Sequence, residues 1–144
     1  MTRILHTAER RAVFVRPRLD VSGPDRLTVD AVVALQDRGW KAEVAVNFFN
    51  PEWAQPEVTA GRVGVTAFGG VPHWLAGGNA RALRALVNQW MLLRRLRRRG
   101  PAPDLVVCDI LPHVASTIRR WFPKTAVLVY CHFPDRLSVT ARGP

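Results

Sequence analysis

Lysine is nearly absent from this chain: Lys41 and Lys124 are the only two among 144 residues, and arginine supplies the rest of its 21 basic side chains. Set against 11 acidic residues, they give a formal net charge of +10. A surface of that sign attracts nucleic acid, anionic headgroups and phosphorylated substrates. Arginine in a chain rich in Ala, Gly and Pro also follows from biased coding composition, so the charge alone selects no partner. Cysteine is scarce too. Cys108 and Cys131 each follow an apolar run and read as buried small hydrophobes rather than a disulfide or redox pair. Without a Cys-x-x-Cys or a His/Cys cluster at zinc spacing, no metal is expected. There is no Gly-x-Gly-x-x-Gly and no Walker pattern. No stretch approaches the roughly 20 uninterrupted apolar residues of a spanning helix. The start of the chain, with His6, Glu9, Arg10 and Arg11, lacks the apolar core and cleavage site of a secretory signal.

What the chain does contain is the composition of one globular domain, 48% hydrophobic and 22% charged. Its apolar residues alternate between two periods. Arg11–Val15 is a short β-rich run, followed by polar and turn-forming residues from Arg16 to Pro24. Leu27, Ala31, Ala34 and Leu35 then recur at helical spacing. Ser22 stands as the N-cap, Pro24 lies in the first turn, and Gly39 is the stop. Lys41–Val46 alternates as a strand does, which completes a strand–helix–strand unit. Phe48–Gly61, with Asn50, Pro51 and Pro56, reads as a surface loop, and Val63–Phe68 as a further strand. A long helix is expected from about Asn79 to Arg99, with Leu83, Leu86, Val87, Trp90 and Leu93 in one stripe that Leu92 and Leu96 widen. Asp104–Asp109 reads as a buried strand, Pro112–Phe122 as a short helix and Ala126–Tyr130 as a last apolar strand. Continuous apolar strands separated by helices predict an α/β fold, a doubly wound parallel sheet covered on both faces.

Ligands of such sheets bind beyond the carboxyl ends of the strands. Three segments fall there: Arg16–Arg26, Asp109–His113 and His132–Asp135. Ser22 and Gly23 precede a helix N-terminus, which favours a phosphate or carboxylate, although a glycine before a capped helix is also an ordinary turn. His132 sits on a turn restrained by Pro134 and is suited to bond a sugar hydroxyl, with Asp135 beside it; a histidine bonded to backbone is the alternative. Asp109 reads either as a cleft residue or as a cap for the next helix. Three readings compete for the long helix. It carries a solvated arginine face, or it lies on a membrane through Trp90 with Arg94, Arg95 and Arg98, or it binds nucleic acid. The last is disfavoured because aromatic residues do not interleave with the arginines.

Two motifs add a resemblance. Val129-Tyr-Cys-His-Phe-Pro-Asp135 is similar to the segment at this place in the alpha-1,3/1,6-mannosyltransferases of dolichol-linked oligosaccharide synthesis, within family-4 glycosyltransferases. Ser22-Gly-Pro-Asp-Arg-Leu-Thr-Val-Asp-Ala-Val-Val-Ala-Leu-Gln-Asp-Arg-Gly39 resembles that family's glycine-rich loop and first helix, and Asp104–Asp109 its strand ahead of the acceptor region. The resemblance spans about Ala12 to Asp135. It implies the N-terminal Rossmann-like half of a GT-B enzyme, residues 11–144, behind an extension of residues 1–10. It further implies retaining mannosyl transfer from GDP-mannose, with no cofactor, to a dolichol-diphosphate-linked glycan at the cytosolic face of the endoplasmic reticulum membrane. In this reading Gly23 and Ser22 lie at the donor-phosphate loop, His132 is the catalytic residue near the transferred sugar, Asp109 and Asp135 line the cleft, and the arginine helix approaches the membrane. The family's paired glycines appear here as Ser22-Gly23, its Ala-Glu as Pro24-Asp25, and an upstream glycine as Asp20. Its second domain, with a Glu-x7-Glu segment for the nucleotide diphosphate, is absent from these 144 residues, so the expectation is a chain inactive by itself.

Overall fold

A computed structural model describes residues 9–72, 74, 80–109 and 114–130. Five strands form one parallel sheet: β1 (Arg11–Leu19), β2 (Lys41–Phe49), β3 (Gly64–Ala67), β4 (Leu105–Asp109) and β5 (Ala126–Tyr130). Their spatial order is β3-β2-β1-β4-β5, so the winding reverses between β1 and β4. The connecting helices are α1 (Gly23–Gln36), the single turn α2 (Pro56–Thr59), α3 (Arg81–Arg99) and α4 (Val114–Trp121). This is the expected Rossmann-like arrangement.

The central strand β1 runs four residues beyond its predicted end. Pro17 is tolerated because the β1–β4 ladder stops at Val15↔Cys108, which leaves the tip paired to β2 alone. The helix start is as read: Ser22 is extended at φ −131° and ψ 169°, and its hydroxyl accepts from Asp25 N–H. Gly39 turns the chain at φ +80°, a conformation that suits glycine. The expected loop from Phe48 to Gly61 is more ordered than that. Phe48 and Phe49 belong to β2, Asn50 caps a 3₁₀ turn over Pro51–Trp53, and Pro56 opens α2. Prolines that break a long helix also start short ones.

Two cores flank the sheet. On one side α3 and α4 bring Leu92, Leu93, Leu96, Val114 and Ile118 against Val13, Val15, Val106 and Cys108. On the other, Val29 and Val32 of α1 meet Ala12, Phe14, Val44 and Val46. Ala31 and Leu35 of the stripe read from α1 pack against the edge of that core, while Leu27 is exposed. Leu27, Ala31, Ala34 and Leu35 also line an apolar groove of about 410 Å³, whose opposite wall is Leu105, Val107, Leu128 and Tyr130 of β4 and β5. The sheet has helices on both faces as expected, with this groove left open among the described residues. Helices after β1 and after β3 fall on opposite sides once the winding reverses, so α3 and α4 cover β4 and β5 from one side only.

Candidate functional site

The winding reverses between β1 and β4, and the region beyond their carboxyl ends is the usual ligand position in such folds. One side of that region is the turn from β1 into α1. Pro24 has no N–H and Ser22 satisfies that of Asp25 at 3.4 Å, which leaves Gly23 to present the first-turn donor. A Cβ added at Gly23 meets nothing within 4 Å, so the fold does not itself require glycine there. Beneath this turn lies a residue that the sequence reading passed over as part of a polar turn. Arg16, nearly fully buried, pairs with Asp25 at 2.9 Å and donates to the Pro24 carbonyl at 2.9 Å and to Thr28 Oγ1. The Ser22 hydroxyl also donates to the Asp25 carboxylate. One buried guanidinium thus ties three residues of the loop and first turn together. Asp25 offsets its charge, so an incoming anion meets a rigid helix N-terminus more than a free cation. An arginine at the end of an apolar strand, nine residues before an aspartate at a helix start, was the available signal.

Asp109 is the last residue of β4, in register with Tyr130 of β5. It therefore reaches the same edge of the sheet as Ser22 and Gly23. His132 and Asp135 lie outside the described residues. Among the described residues no cluster of three His, Cys, Asp or Glu side chains is placed to hold a metal.

The α3 helix divides the stripe expected on it. Leu92, Leu93 and Leu96 are buried, whereas Leu83, Leu86, Val87 and Trp90 are exposed. The cause is the helical period. At about 100° per residue the exposed four cluster on one side, and Leu92 lies roughly opposite Trp90. Arg94, Arg97 and Arg98 continue the outer face toward the helix end. Arg94 lies over Trp90 at 5.2 Å and Arg97 over Trp121 of α4 at 5.7 Å, with the two indoles edge to face at 6.2 Å. Arg95 does not join this group; it turns toward Gly69. No helix among the described residues is long and apolar enough to cross a membrane.

Five parallel strands wound both ways about a switch point make this a Rossmann-like domain. No family model and no solved structure matches it. Whole-sequence relatives do. The alpha-1,3/1,6-mannosyltransferase ALG2 of Yarrowia lipolytica is 35% identical over 137 residues, which cover 92% of this chain and 29% of that protein. Its human counterpart is 32% identical over 128 residues, 87% of this chain and 30% of that protein. The Saccharomyces cerevisiae protein of the same name is 26% identical over 137 residues, 94% and 27%. By sequence the chain is a relative of these alpha-1,3/1,6-mannosyltransferases, and it spans about three-tenths of the length of the curated relatives it matches.

Proposed function

We propose that these residues form one wall of a retaining mannosyltransferase that takes mannose from GDP-mannose and adds it to a dolichol-diphosphate-linked glycan. The carrying observation is the switch point between β1 and β4, beside which the Arg16–Asp25 pair holds the turn that carries Ser22 and Gly23. In this reading the chain is the acceptor-side, N-terminal half of a GT-B enzyme. The Gly23 N–H and the helix N-terminus meet a donor phosphate, His132 is the catalytic residue beside the sugar, and Asp109 and Asp135 complete the cleft. The outer face of α3 seats the enzyme on the cytosolic side of the endoplasmic reticulum membrane. Trp90 and its apolar neighbours enter the interface while Arg94 and Arg98 meet anionic headgroups. That placement is favoured over nucleic-acid binding because Leu83, Leu86 and Val87 extend the exposed face beyond Trp90 as an apolar surface.

The test is a chimera in which this chain replaces the matching 137 residues of the Yarrowia lipolytica relative. Mannose transfer from GDP-mannose to a dolichol-diphosphate-linked acceptor is expected, together with its loss on His132→Ala. A folded chimera without transfer would sink the proposal.

A further inference from the structure

The inner contacts of α3 fix how it crosses the sheet. In its first half, Asn88 brackets Val71, accepting from its N–H at 2.6 Å and donating to its carbonyl at 3.1 Å. The Asn88 carbonyl in turn accepts from Asn47 Nδ2, near the end of β2, at 2.8 Å. A Cβ on Gly70 would stand 2.8 Å from Asn88 Cγ, so this seat is close-fitting. At the other end of the helix, Arg99 meets Glu43, the third residue of β2, at 3.4 Å and donates to Thr66 of β3 at 2.5 Å. The helix therefore runs antiparallel to the strands. Its first turns stand at the carboxyl edge of the sheet, the edge of Ser22, Gly23 and Asp109.

Along the outer face the side chains change in one direction. Leu83, Leu86 and Val87 come first, Trp90 follows, and Arg94, Arg97 and Arg98 come last, all of them exposed. The last turn of α4, ahead of the amino end of β5, adds exposed Arg119 and Arg120 beside Trp121. The edge-to-face indoles of Trp90 and Trp121, each beneath a guanidinium of α3, join the two helices into one surface. Neither helix contains an acidic residue. A helix that lies flat on a bilayer carries its apolar and basic residues on different faces. Here they share one face and are separated along the axis instead. Laid flat, that face would sink Arg94, Arg97 and Arg98 as deep as Leu83. Aliphatic, then indole, then arginine is the order met on leaving a bilayer, from hydrocarbon through the aromatic level to anionic headgroups.

We infer that α3 and α4 dock obliquely on an anionic membrane, with the first turns of α3 deepest, so that the carboxyl edge of the sheet tips toward the bilayer. A depth difference of about 10 Å over the roughly 22 Å from Leu83 to Arg98 corresponds to a tilt of about 30°. Arg94 and Arg97, held against indoles, stay at headgroup level. The inference rests on the membrane reading of α3 and adds which end enters and that α4 takes part. Nitroxide labels at Leu83→Cys, Val87→Cys, Arg94→Cys and Arg98→Cys, each in a Cys131→Ser background, read depth on phosphatidylcholine–phosphatidylserine vesicles by collision with oxygen and with a water-soluble nickel chelate. The labels at Leu83 and Val87 are expected below the phosphates, and those at Arg94 and Arg98 level with them or above.

Co-sedimentation of the chain with the same vesicles, and with phosphatidylcholine alone, separates the two ends. Leu83→Ser with Val87→Ser is expected to weaken binding to both vesicles by about tenfold. Arg119→Gln with Arg120→Gln is expected to lose about tenfold on the anionic vesicles only. Arg62→Gln, whose partner is Asp37, is expected to change neither, and every variant to keep the parent melting curve. Equal depth at the four labels overturns oblique docking and spares the membrane reading of α3. Unchanged binding by the Arg119 and Arg120 variant overturns the two-helix surface. A chain that binds neither vesicle rejects the membrane reading and the inference together, whatever the chimera transfers. Duplex DNA bound more tightly than anionic vesicles, and equally well after Leu83→Ser with Val87→Ser, overturns the inference in favour of nucleic acid.

Discussion

Removing the carboxylate of Asp25 is the perturbation that most directly tests how the turn carrying Ser22 and Gly23 is held. Arg16 and Asp25 expose only 4% and 6% of their side chains, and the ion pair is 2.9 Å long. Asp25→Leu takes the carboxylate at 2.9 Å away from this buried guanidinium and leaves the Pro24 carbonyl and Thr28 among its acceptors. Breaking a buried pair from one side costs about 3–5 kcal/mol, against about 1 kcal/mol for losing an N-cap such as Ser22. At about 3 °C per kcal/mol for a domain near this size, Asp25→Leu is expected to lower Tm by roughly 10–15 °C. Ser22→Ala should lower it by only about 3 °C on the same scale. The decisive variant is double, because replacing both charges by apolar residues removes the orphan and is often close to neutral. Arg16→Met with Asp25→Leu should therefore regain most of the loss. Thermal melts and urea titrations followed by far-ultraviolet circular dichroism read the parent, these three variants and Arg16→Met alone. If the double variant is as unstable as the two single losses added together, the pair is not what holds this turn and the reasoning fails.

Gly70→Ala should cost about 1–3 kcal/mol, since the new methyl displaces Asn88 from Val71; a chemical denaturation midpoint equal to the parent's would contradict the close fit. Leu93→Ala, wholly buried between α3 and the sheet, should cost about 2–5 kcal/mol by the same measurement. Burial pushes the Cys108 thiol up to about 11 from an ordinary 9.0. The folded state then holds its proton longer than the unfolded state, so its contribution is complete below about pH 9 and fades as pH rises toward 11. Cys108→Ala should flatten that alkaline loss of stability, and in a Cys131→Ser background Cys108 should not react with a thiol reagent at pH 8 until the protein unfolds. Trp90→Asp should weaken binding to anionic vesicles by about tenfold, as read by co-sedimentation, because an exposed indole is withdrawn from the interface.

The strands and helices were legible because each carries its own signal: Ser22 with Pro24 at a helix start, Gly39 at a turn, Leu105–Cys108 as an unbroken apolar run. The direction each helix faces was less legible. Periodicity groups Leu27, Ala31, Ala34 and Leu35, and separately Leu83, Leu86, Val87 and Trp90, but does not say whether a stripe meets a sheet or water. In both helices the fully buried side is centred on neighbouring residues, Val29 and Val32 in α1 and Leu92, Leu93 and Leu96 in α3, so that of the stripes only Ala31 and Leu35 in α1 and Leu93 in α3 pack against a core. The site was legible where it follows from topology, at the ends of β1 and β4. Arg16 was not, because its role depends on a partner nine residues away beneath a helix whose tilt no local pattern records.

The uncovered groove between α1 and β5 has a thermodynamic consequence for the carboxyl edge of the sheet. Among the described residues β5 pairs with one neighbour only, and Leu128, Val129 and Tyr130 are substantially exposed, so it lies at the low end of the stability gradient across the sheet. Amide exchange should accordingly be slowest in β1 and fastest in β5. Yet β5 is the strand that leads into Cys131 and His132. Anything that seats in the groove and prefers a closed β5 lowers the free energy of that state by its own binding. Occupancy of an apolar surface on one side of the sheet and the presentation of the polar segment at its edge are then linked equilibria, each measurable through the other.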